Sequence, residues 1–235
     1  IFRKRNMHDT AMIYGKCFFD TYLKDAKDLV IVDVGAQDVN GSLRAVAPKN
    51  NSYIGVDFEK GNGVDIVISD PYCLPQDDES VDVVVSSSCL EHSEFFWLSF
   101  NEMLRILKPS GLLYLNVPSN GDYHRYPVDC WRFFPDSGIA LQNWGRRSGY
   151  DCSLLESFVG VRKKDVWHDF ISVFVKDQKF TSKHQARIQN NINSFSNGRL
   201  LNSDEIVNQV ASFHKTKIFQ LRTLKKIYKK VFGKN

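Results

Sequence analysis

The chain has 235 residues, of which 43% are hydrophobic and 25% are charged, and this balance is typical of a globular protein. No apolar run approaches the roughly 18 residues that a membrane-spanning helix needs. The basic start of the chain is not followed by an apolar stretch, so we expect no secretory signal in the sequence given.

The five cysteines and six histidines show no spacing that is typical of a metal site. The cysteines form no C-x-x-C pair, and the histidines form no H-E-x-x-H motif. An odd number of scattered cysteines also argues against a disulfide framework. The sequence therefore predicts a cytoplasmic protein without a metal.

Charge is distributed unevenly along the chain. Residues 181–235 carry a net charge of +9, whereas the first 180 residues carry a net charge of −5. A basic tail on an acidic body indicates an anionic partner surface, either a membrane or a nucleic acid.

Short β-branched runs alternate with helical patterns up to about residue 180, which is the pattern of parallel βαβ units. The predicted strands are 29–35, 52–58, 64–68, 81–87, 112–117, 154–161 and 168–175. The predicted helices are 9–28, 41–47, 94–107 and 136–149, with a turn at 108–111. The last two strands are predicted to form a hairpin connected by residues 162–165. We therefore expect a doubly wound α/β domain over 1–180, with seven strands of which the last is antiparallel.

Residues 181–203 are polar and rich in asparagine, which favours a linker. A basic amphipathic helix is predicted after it, with Leu221, Leu224 and Ile227 on one face and lysines on the other. Residues 181–235 are thus predicted to be a linker and a helical tail. Its apolar face could pack on its own domain or on a second copy of the chain, and its basic face could bind an anionic membrane. Nucleic acid is the least favoured partner, because interleaved aromatic residues and a nucleic-acid-binding fold are missing.

The strongest local motif joins the first strand to a glycine turn, V-I-V-D-V-G-A-Q-D-V-N-G over residues 30–41. Gly35 lets the backbone approach a ligand where a Cβ atom would collide with it. In open α/β sheets the ligand cleft lies at the carboxyl end of the strands. Asp33, just before the turn, is placed to accept a hydrogen bond from a ligand's ammonium group.

Further polar residues end the next three predicted strands. Asp57 ends the second strand, where its two carboxylate oxygens suit the vicinal hydroxyls of a ribose. Asp70 follows the third strand, within reach of an adenine amino group, and Ser87 and Ser88 end the fourth. Each acid also has a purely structural interpretation as a helix cap or a turn former.

These motifs, in this order and spacing, resemble the Rossmann-like class I methyltransferases that use S-adenosylmethionine, in the group that acts on small molecules and sugars. The resemblance covers about residues 28–176 and includes D-D-E-S-V-D-V-V at 77–84, L-E-H at 90–92 and L-K-P-S-G at 107–111. It implies S-adenosylmethionine as cofactor and S-adenosylhomocysteine as product. The implied cofactor-binding residues are Asp33, Gly35, Ala36, Gln37, Asp57, Phe58, Asp70, Pro71, Ser87 and Ser88. The family turn usually has more glycines than this one, which carries Gln37 and Val39 instead.

Residues 118–136 combine aromatic and polar side chains after the fifth strand, over the expected cleft. Such a mixture suits a sugar, which offers both apolar C–H faces and hydroxyl groups. The loop resembles one found in methyltransferases of surface-polysaccharide pathways, which implies a sugar or glycan precursor as acceptor and a location at the inner face of the membrane. Tyr126, Trp131 and Arg132 are the predicted substrate-binding residues.

O-methylation requires a group that removes the proton of the acceptor hydroxyl. His124 is the first candidate because imidazole titrates near neutral pH, and His92 and Asp129 are the alternatives. His124 also has a structural interpretation as a solvent-facing loop histidine, His92 as part of a helix start, and Trp131 as a core aromatic that anchors the loop.

Two other functions compete with methyl transfer. A nicotinamide-dependent oxidoreductase also uses a glycine turn and a strand-end acid, but residues 35–41 do not read G-x-G-x-x-G. A catalytically silent module that binds partners through its tail is the second alternative, which Gln37 and Val39 in the turn favour.

Overall fold

A computed structural model describes residues 9–39, 41–161 and 167–210. Its strands are β1 (Val30–Val34), β2 (Ser52–Asp57), β3 (Ile66–Val67), β4 (Val81–Ser87), β5 (Leu107–Pro118), β6 (Ser153–Gly160), β7 (Asp169–Val175) and β8 (Phe195–Leu200). Its helices are α1 (Asp9–Tyr22), α2 (Phe96–Ile106) and α3 (Ser137–Arg147).

The described strands form one sheet in the order β3-β2-β1-β4-β5-β7-β6-β8. The pairs from β3 to β5 are parallel, whereas β7 is antiparallel to both β5 and β6. The chain order reverses between β1 and β4, because β2 lies on one side of β1 and β4 on the other. This switch point is where α/β sheets place their ligand cleft. The predicted α/β class and the antiparallel pairing of the last two predicted strands are confirmed.

The two faces of the sheet bury separate apolar layers. Phe18 of α1 stacks on Tyr114 of β5 at a centroid distance of 4.8 Å on one face. Phe100 of α2 contacts Phe174 of β7 at 5.3 Å on the other face, where α3 also packs. Both faces of the central strands are therefore covered, which explains why their sequences read as nearly continuous Val, Ile and Leu.

The predicted turn at residues 108–111 lies inside β5. Val81 pairs with Leu107 and Val83 pairs with Leu112, so the four residues between Leu107 and Leu112 bulge out of the ladder. The helix α2 consequently runs into the strand without a separate loop. The turn residues Pro109 and Gly111 serve here as a bulge.

The prediction of a linker after residue 180 is wrong for residues 188–200, which belong to the folded domain. Residues 195–200 form β8, which pairs with β6 and raises the strand count of the described chain from seven to eight. Ile188 is fully buried, and the backbone N–H groups of Ile188 and Gln189 donate to the buried carboxylate of Glu156. These long-range contacts, which polar composition cannot reveal, place the boundary of the domain beyond residue 180. The predicted basic helix lies mostly outside the described residues.

Two other predicted elements are longer than the elements in the structure. The predicted helix at 41–47 is a single 3-10 turn, Leu43–Ala45, and the third strand has only two residues instead of five. Within the described ranges, no helix combines the length and apolarity needed to cross a membrane.

Candidate functional site

The glycine corner, which we define as residues 34–38, leaves β1 at the switch point. Gly35 has a φ of +81°, and a Cβ atom there would lie 2.5 Å from the Sγ atom of Cys89. The N–H groups of Gly35 and Ala36 both donate to the carbonyl oxygen of Val56 on the neighbouring strand. The corner therefore requires glycine for two reasons, its left-handed backbone and the proximity of Cys89.

Asp57 ends β2 beside the glycine corner and is buried. One of its carboxylate oxygens accepts from the N–H of Gln37 at 3.0 Å and the other from the N–H of Glu59 at 3.1 Å. Because a carboxylate oxygen has two lone pairs, each can accept one more hydrogen bond. The arrangement suits a vicinal diol, while Phe58 beside it is exposed.

Asp33 is buried one residue before Val34 and accepts a hydrogen bond from the hydroxyl group of Tyr53 at 2.6 Å. Burial raises the pKa of this carboxyl group from 3.8 to about 6. The Tyr53 hydrogen bond and the nearby Arg44 oppose that shift in pKa. A cationic ligand group would stabilise the charged form further, so Asp33 is suited to bind an ammonium group.

Asp70 and Pro71 lie at the exposed end of β3. The Asp70 carboxylate accepts from the N–H of Tyr72 at 2.9 Å, which forms a turn. The described contacts thus favour the structural interpretation of Asp70, and its adenine contact stays a prediction.

The end of β4 supplies Ser87 and Ser88. The Oγ atom of Ser87 is buried without a hydrogen-bond partner in the described part of the chain. Ser88 has a φ of +52°, and its N–H donates to the carbonyl oxygen of Asn116. Ser87 is therefore a buried hydroxyl available to a ligand at the switch point.

Glu91 and His92 follow in a 3-10 turn, Leu90–His92. Burial raises the pKa of the Glu91 carboxyl group from 4.5 to about 8. The Nδ1 atom of His92 lies 2.5 Å from the carbonyl oxygen of Val128, and burial lowers the pKa of this imidazole. Because a carbonyl oxygen can only accept, Nδ1 carries the proton and Nε2 has the free lone pair.

Residues 119–135, which we call the cover loop, pass over the end of β4. The carbonyl oxygen of Glu91 accepts from the N–H groups of Cys130 and Trp131, and Phe133 donates its N–H to Pro118. Tyr126 donates its hydroxyl hydrogen to Gln37 Oε1 at 2.7 Å. The cover loop is therefore hydrogen bonded both to the turn at Glu91 and to the glycine corner.

An ion pair stabilises the cover loop from within. The two guanidinium nitrogens of Arg132 lie 2.5 and 2.8 Å from the carboxylate oxygens of Asp129. This bidentate pairing holds the pKa of the Asp129 carboxyl group at about 2. A carboxylate with so low a pKa is a weak base, and Arg132 is already engaged. The geometry favours a positioning role for both, and their predicted contacts with substrate stay predictions.

His124 lies at the centre of the cover loop, half exposed. Its ring contacts His92 edge-on at a centroid distance of 5.0 Å and Trp167 at 4.9 Å. Its Nδ1 atom lies 3.2 Å from the carbonyl oxygen of Asp122 and 3.5 Å from the Asp129 carboxylate. The structure therefore brings together all three predicted catalytic residues.

Trp131, a predicted substrate-binding residue, lies among other aromatic rings. Trp131 donates its indole N–H to the carbonyl oxygen of Ser93 and contacts Phe96 and Trp97 edge-on. Its ring is 37% exposed, so one part packs and another part faces solvent. This supports both the core and the binding interpretation of Trp131.

The sequence analysis did not identify two residues near the site, Tyr53 and Trp167. Tyr53 could have been found from strand register, since Gly55 pairs with Asp33 and Tyr53 lies two residues before it, on the same face. Trp167 contacts His124 from a distant part of the chain, and no local signal indicates that contact.

Comparison with known proteins bears on this site. Residues 16–115 match the family model described as a methyltransferase domain, and this range contains every predicted cofactor-binding residue. A relative from Mycolicibacterium gilvum, an uncharacterized methyltransferase, is 35% identical over 83 residues. That match covers 35% of this chain and only 29% of the relative.

Two solved structures share the architecture. One is the 1,6-didemethyltoxoflavin-N1-methyltransferase of Burkholderia thailandensis, with bound S-adenosylhomocysteine, at a TM-score of 0.56 and 15% identity over 72% of this chain and 80% of that one. The other is the cyclase SpnF, at a TM-score of 0.54 and 14% identity over 75% and 85%. The fold is that of the class I methyltransferases. The family match over residues 16–115 and the shared fold agree with the resemblance to class I methyltransferases.

Proposed function

We propose that this chain transfers a methyl group from S-adenosylmethionine to a hydroxyl group of a sugar or glycan precursor. The main support is the arrangement at the switch point, where Gly35 with its left-handed backbone lies beside the buried Asp57. The N–H groups of Gly35 and Ala36 fix the corner against β2, and Asp57 beside it retains acceptor capacity for the ribose. Asp33 supplies the charge that pairs with the ammonium group of the methionine part.

Methyl transfer is an in-line displacement in which the acceptor oxygen attacks the methyl carbon while the bond to sulfur breaks. The enzyme must position donor and acceptor and remove the hydroxyl proton. His124 and His92 lie together above the corner, and Nε2 of His92 carries a free lone pair. These imidazoles are therefore the groups to which we assign the proton transfer.

The proposal includes two further points, that the methylated atom is oxygen and that the acceptor is a sugar. The support is the cover loop, whose exposed aromatic side chains Tyr123, Tyr126, Trp131 and Phe134 lie among polar groups. A sugar presents apolar C–H faces to such rings and hydroxyl groups to the histidines. Structural neighbours named as an N-methyltransferase and as a cyclase show that the fold alone does not specify the reaction.

Cofactor binding is tested by titration calorimetry with S-adenosylhomocysteine and, separately, with NADH. We expect binding of the first and none of the second. Asp57→Ala should weaken binding of S-adenosylhomocysteine by at least about 10-fold, since it removes hydrogen bonds between a charged acceptor and the ribose. Glu59→Ala, which removes an exposed acid two residues away, is the matched control and should bind normally.

The acceptor is tested with radiolabelled S-adenosylmethionine and a panel of nucleotide sugars, with amine and thiol compounds as the comparison set. Label transferred to a sugar hydroxyl supports the proposal. Label transferred only to nitrogen would contradict O-methylation, and tight cofactor binding without transfer to any acceptor would favour a silent module.

We also propose that the enzyme works at the cytoplasmic face of a membrane, on the basis of the basic residues after position 203. Sedimentation with anionic vesicles should fall when residues 203–235 are deleted, because the electrostatic attraction is lost. Unchanged sedimentation would contradict this location.

A further inference from the structure

Three potential metal ligands meet where the cover loop crosses the end of β4. Glu91, His92 and His124 each offer one ligand atom, and these atoms lie within 4.8 Å of one another. The nearer Glu91 oxygen is 3.8 Å from Nε2 of His92, and the two imidazole rings are perpendicular. Residues from two separate loops thus converge on one point above the glycine corner.

The carboxylate of Glu91 is unusual in its surroundings. Its side chain is only 2% exposed, yet its Oε2 atom has no hydrogen-bond partner within the described ranges. An unsatisfied polar atom in the interior is costly, and native structures rarely retain one without a ligand or ion. A cation between Glu91 and the histidines would bind this carboxylate, through Oε2 or through Oε1, the oxygen that lies 3.8 Å from Nε2 of His92.

Both histidines are held through Nδ1 by backbone carbonyl groups. Val128 accepts from His92 at 2.5 Å, and Asp122 lies 3.2 Å from His124. This leaves Nε2 of His92 unprotonated, the state in which an imidazole binds a metal. A backbone carbonyl on the remote nitrogen is the usual outer contact of metal-binding histidines.

We propose that Glu91, His92 and His124 bind one divalent transition-metal ion, with Zn²⁺ as the best-matched species. Two imidazoles and one carboxylate are a donor set of catalytic zinc sites, which keep an open coordination position. Zinc–ligand bonds of about 2.0–2.2 Å require donors closer together than 4.8 Å, so small side-chain rotations accompany binding. The side chain of His124 is 40% exposed, against 12% for His92 and 2% for Glu91, so it is the ligand whose rotation displaces the fewest neighbours.

This site deepens the proposed function and rests on it in one respect, that the open position would bind the acceptor hydroxyl oxygen. A hydroxyl group on Zn²⁺ would lose its proton more readily, since the metal lowers the pKa of bound oxygen, and the proton would pass to solvent water beside the 40% exposed His124. The two histidines would then serve as ligands instead of as bases. Sequence spacing predicted no metal because the ligands come from positions 32 residues apart and form no short motif.

The test is calorimetric titration of ZnCl₂ into untagged, EDTA-treated full-length chain without cofactor. We expect one equivalent to bind. Glu91→Gln preserves the size of the buried side chain and His124→Ala alters a half-exposed one, and each should weaken binding at least about 10-fold. His184→Ala, which changes a partly buried histidine elsewhere, is the control and should bind normally.

Substitution with Co²⁺ identifies the ligands by absorption. Visible bands of a four- or five-coordinate site that are lost in His124→Ala support the proposal. A sulfur-to-cobalt charge-transfer band would overturn it, because it would place a cysteine such as Cys89 or Cys130 on the metal. Equal zinc affinity in wild type and both ligand variants would also overturn it.

The metal site and the proposed function are tested by separate measurements, so either can fail without the other. Binding of S-adenosylhomocysteine is measured on the same EDTA-treated chain, and binding of zinc is measured without cofactor. If zinc fails to bind while the cofactor binds, only the metal site is refuted and the histidines remain the bases. If the cofactor fails to bind while zinc binds, the methyltransferase proposal is refuted instead.

Discussion

The glycine corner and the cover loop form two sides of one site, but they are built differently. In the corner, backbone groups make the decisive contacts, as when Gly35 and Ala36 both donate to Val56. In the cover loop, side chains make them, chiefly the Asp129–Arg132 ion pair and the rings around His124. Backbone hydrogen bonds survive most side-chain substitutions, so the corner depends chiefly on Gly35 and its φ of +81°, whereas the cover loop can be altered one side chain at a time. This division would suit the proposed methyltransferase, in which the corner binds the cofactor and the cover loop binds the acceptor.

The largest expected effect is in the corner. Gly35→Ala would force a residue with a Cβ atom into a φ of +81° and against Cys89. Strain of about 1–3 kcal/mol and a displaced corner should weaken S-adenosylhomocysteine binding about 100-fold, measured by calorimetry. Gly149→Ala is the control, because Gly149 has a φ of +97° but nothing within 4 Å of the added atom. If both variants bind alike, close packing of the corner is not what the cofactor needs.

The Asp129–Arg132 ion pair of the cover loop should affect turnover instead of cofactor affinity. Asp129→Asn removes the charge that holds Arg132, and we expect a loss of about 10-fold or more in kcat/KM with unchanged S-adenosylhomocysteine binding. Asp122→Ala, at an exposed position of the same loop, should be nearly neutral. A parallel loss of cofactor affinity in Asp129→Asn would mean that the two regions are not independent.

Titration of Asp33 should make the affinity for S-adenosylhomocysteine depend on pH. Its pKa of about 6 in the free protein means that the carboxyl group is charged above pH 6 and neutral below it. Affinity for S-adenosylhomocysteine should therefore fall about 10-fold between pH 7 and pH 5, as the ammonium group loses its counter-charge. Asp33→Asn should bind weakly with a flat pH profile, measured by calorimetry at each pH. An equally steep profile in that variant would assign the titration to another group.

The smallest expected effect concerns the hydrogen bond between the two regions. Tyr126→Phe removes the hydroxyl that donates to Gln37 but keeps the ring. We expect a rise of about 2- to 5-fold in KM for S-adenosylmethionine, the usual worth of one neutral hydrogen bond. Tyr123→Phe, at a 74% exposed ring, is the matched control. No change in either variant would show that the cover loop does not close on the corner through Tyr126.

Much of the fold followed from local pattern. The buried strands 30–34 and 81–87 appear as near-continuous apolar runs, and the helix from 96 to 106 ends close to its predicted limit. Such signals are local because a strand covered on both faces must be apolar along its length. The segment after residue 180 gave no such signal, since β8 is held by its pairing with β6 and by the buried Glu156.

The sequence by itself determined the class of fold, the glycine corner and the acids at the ends of the first strands, because these depend on residue type and chain order. Only the tertiary structure decided that the buried Glu91 lies beside His124, that Tyr126 donates to Gln37, and that β8 pairs with β6. The physical reason is distance along the chain. Burial and pairing between remote segments set which polar groups are satisfied and which remain available for chemistry.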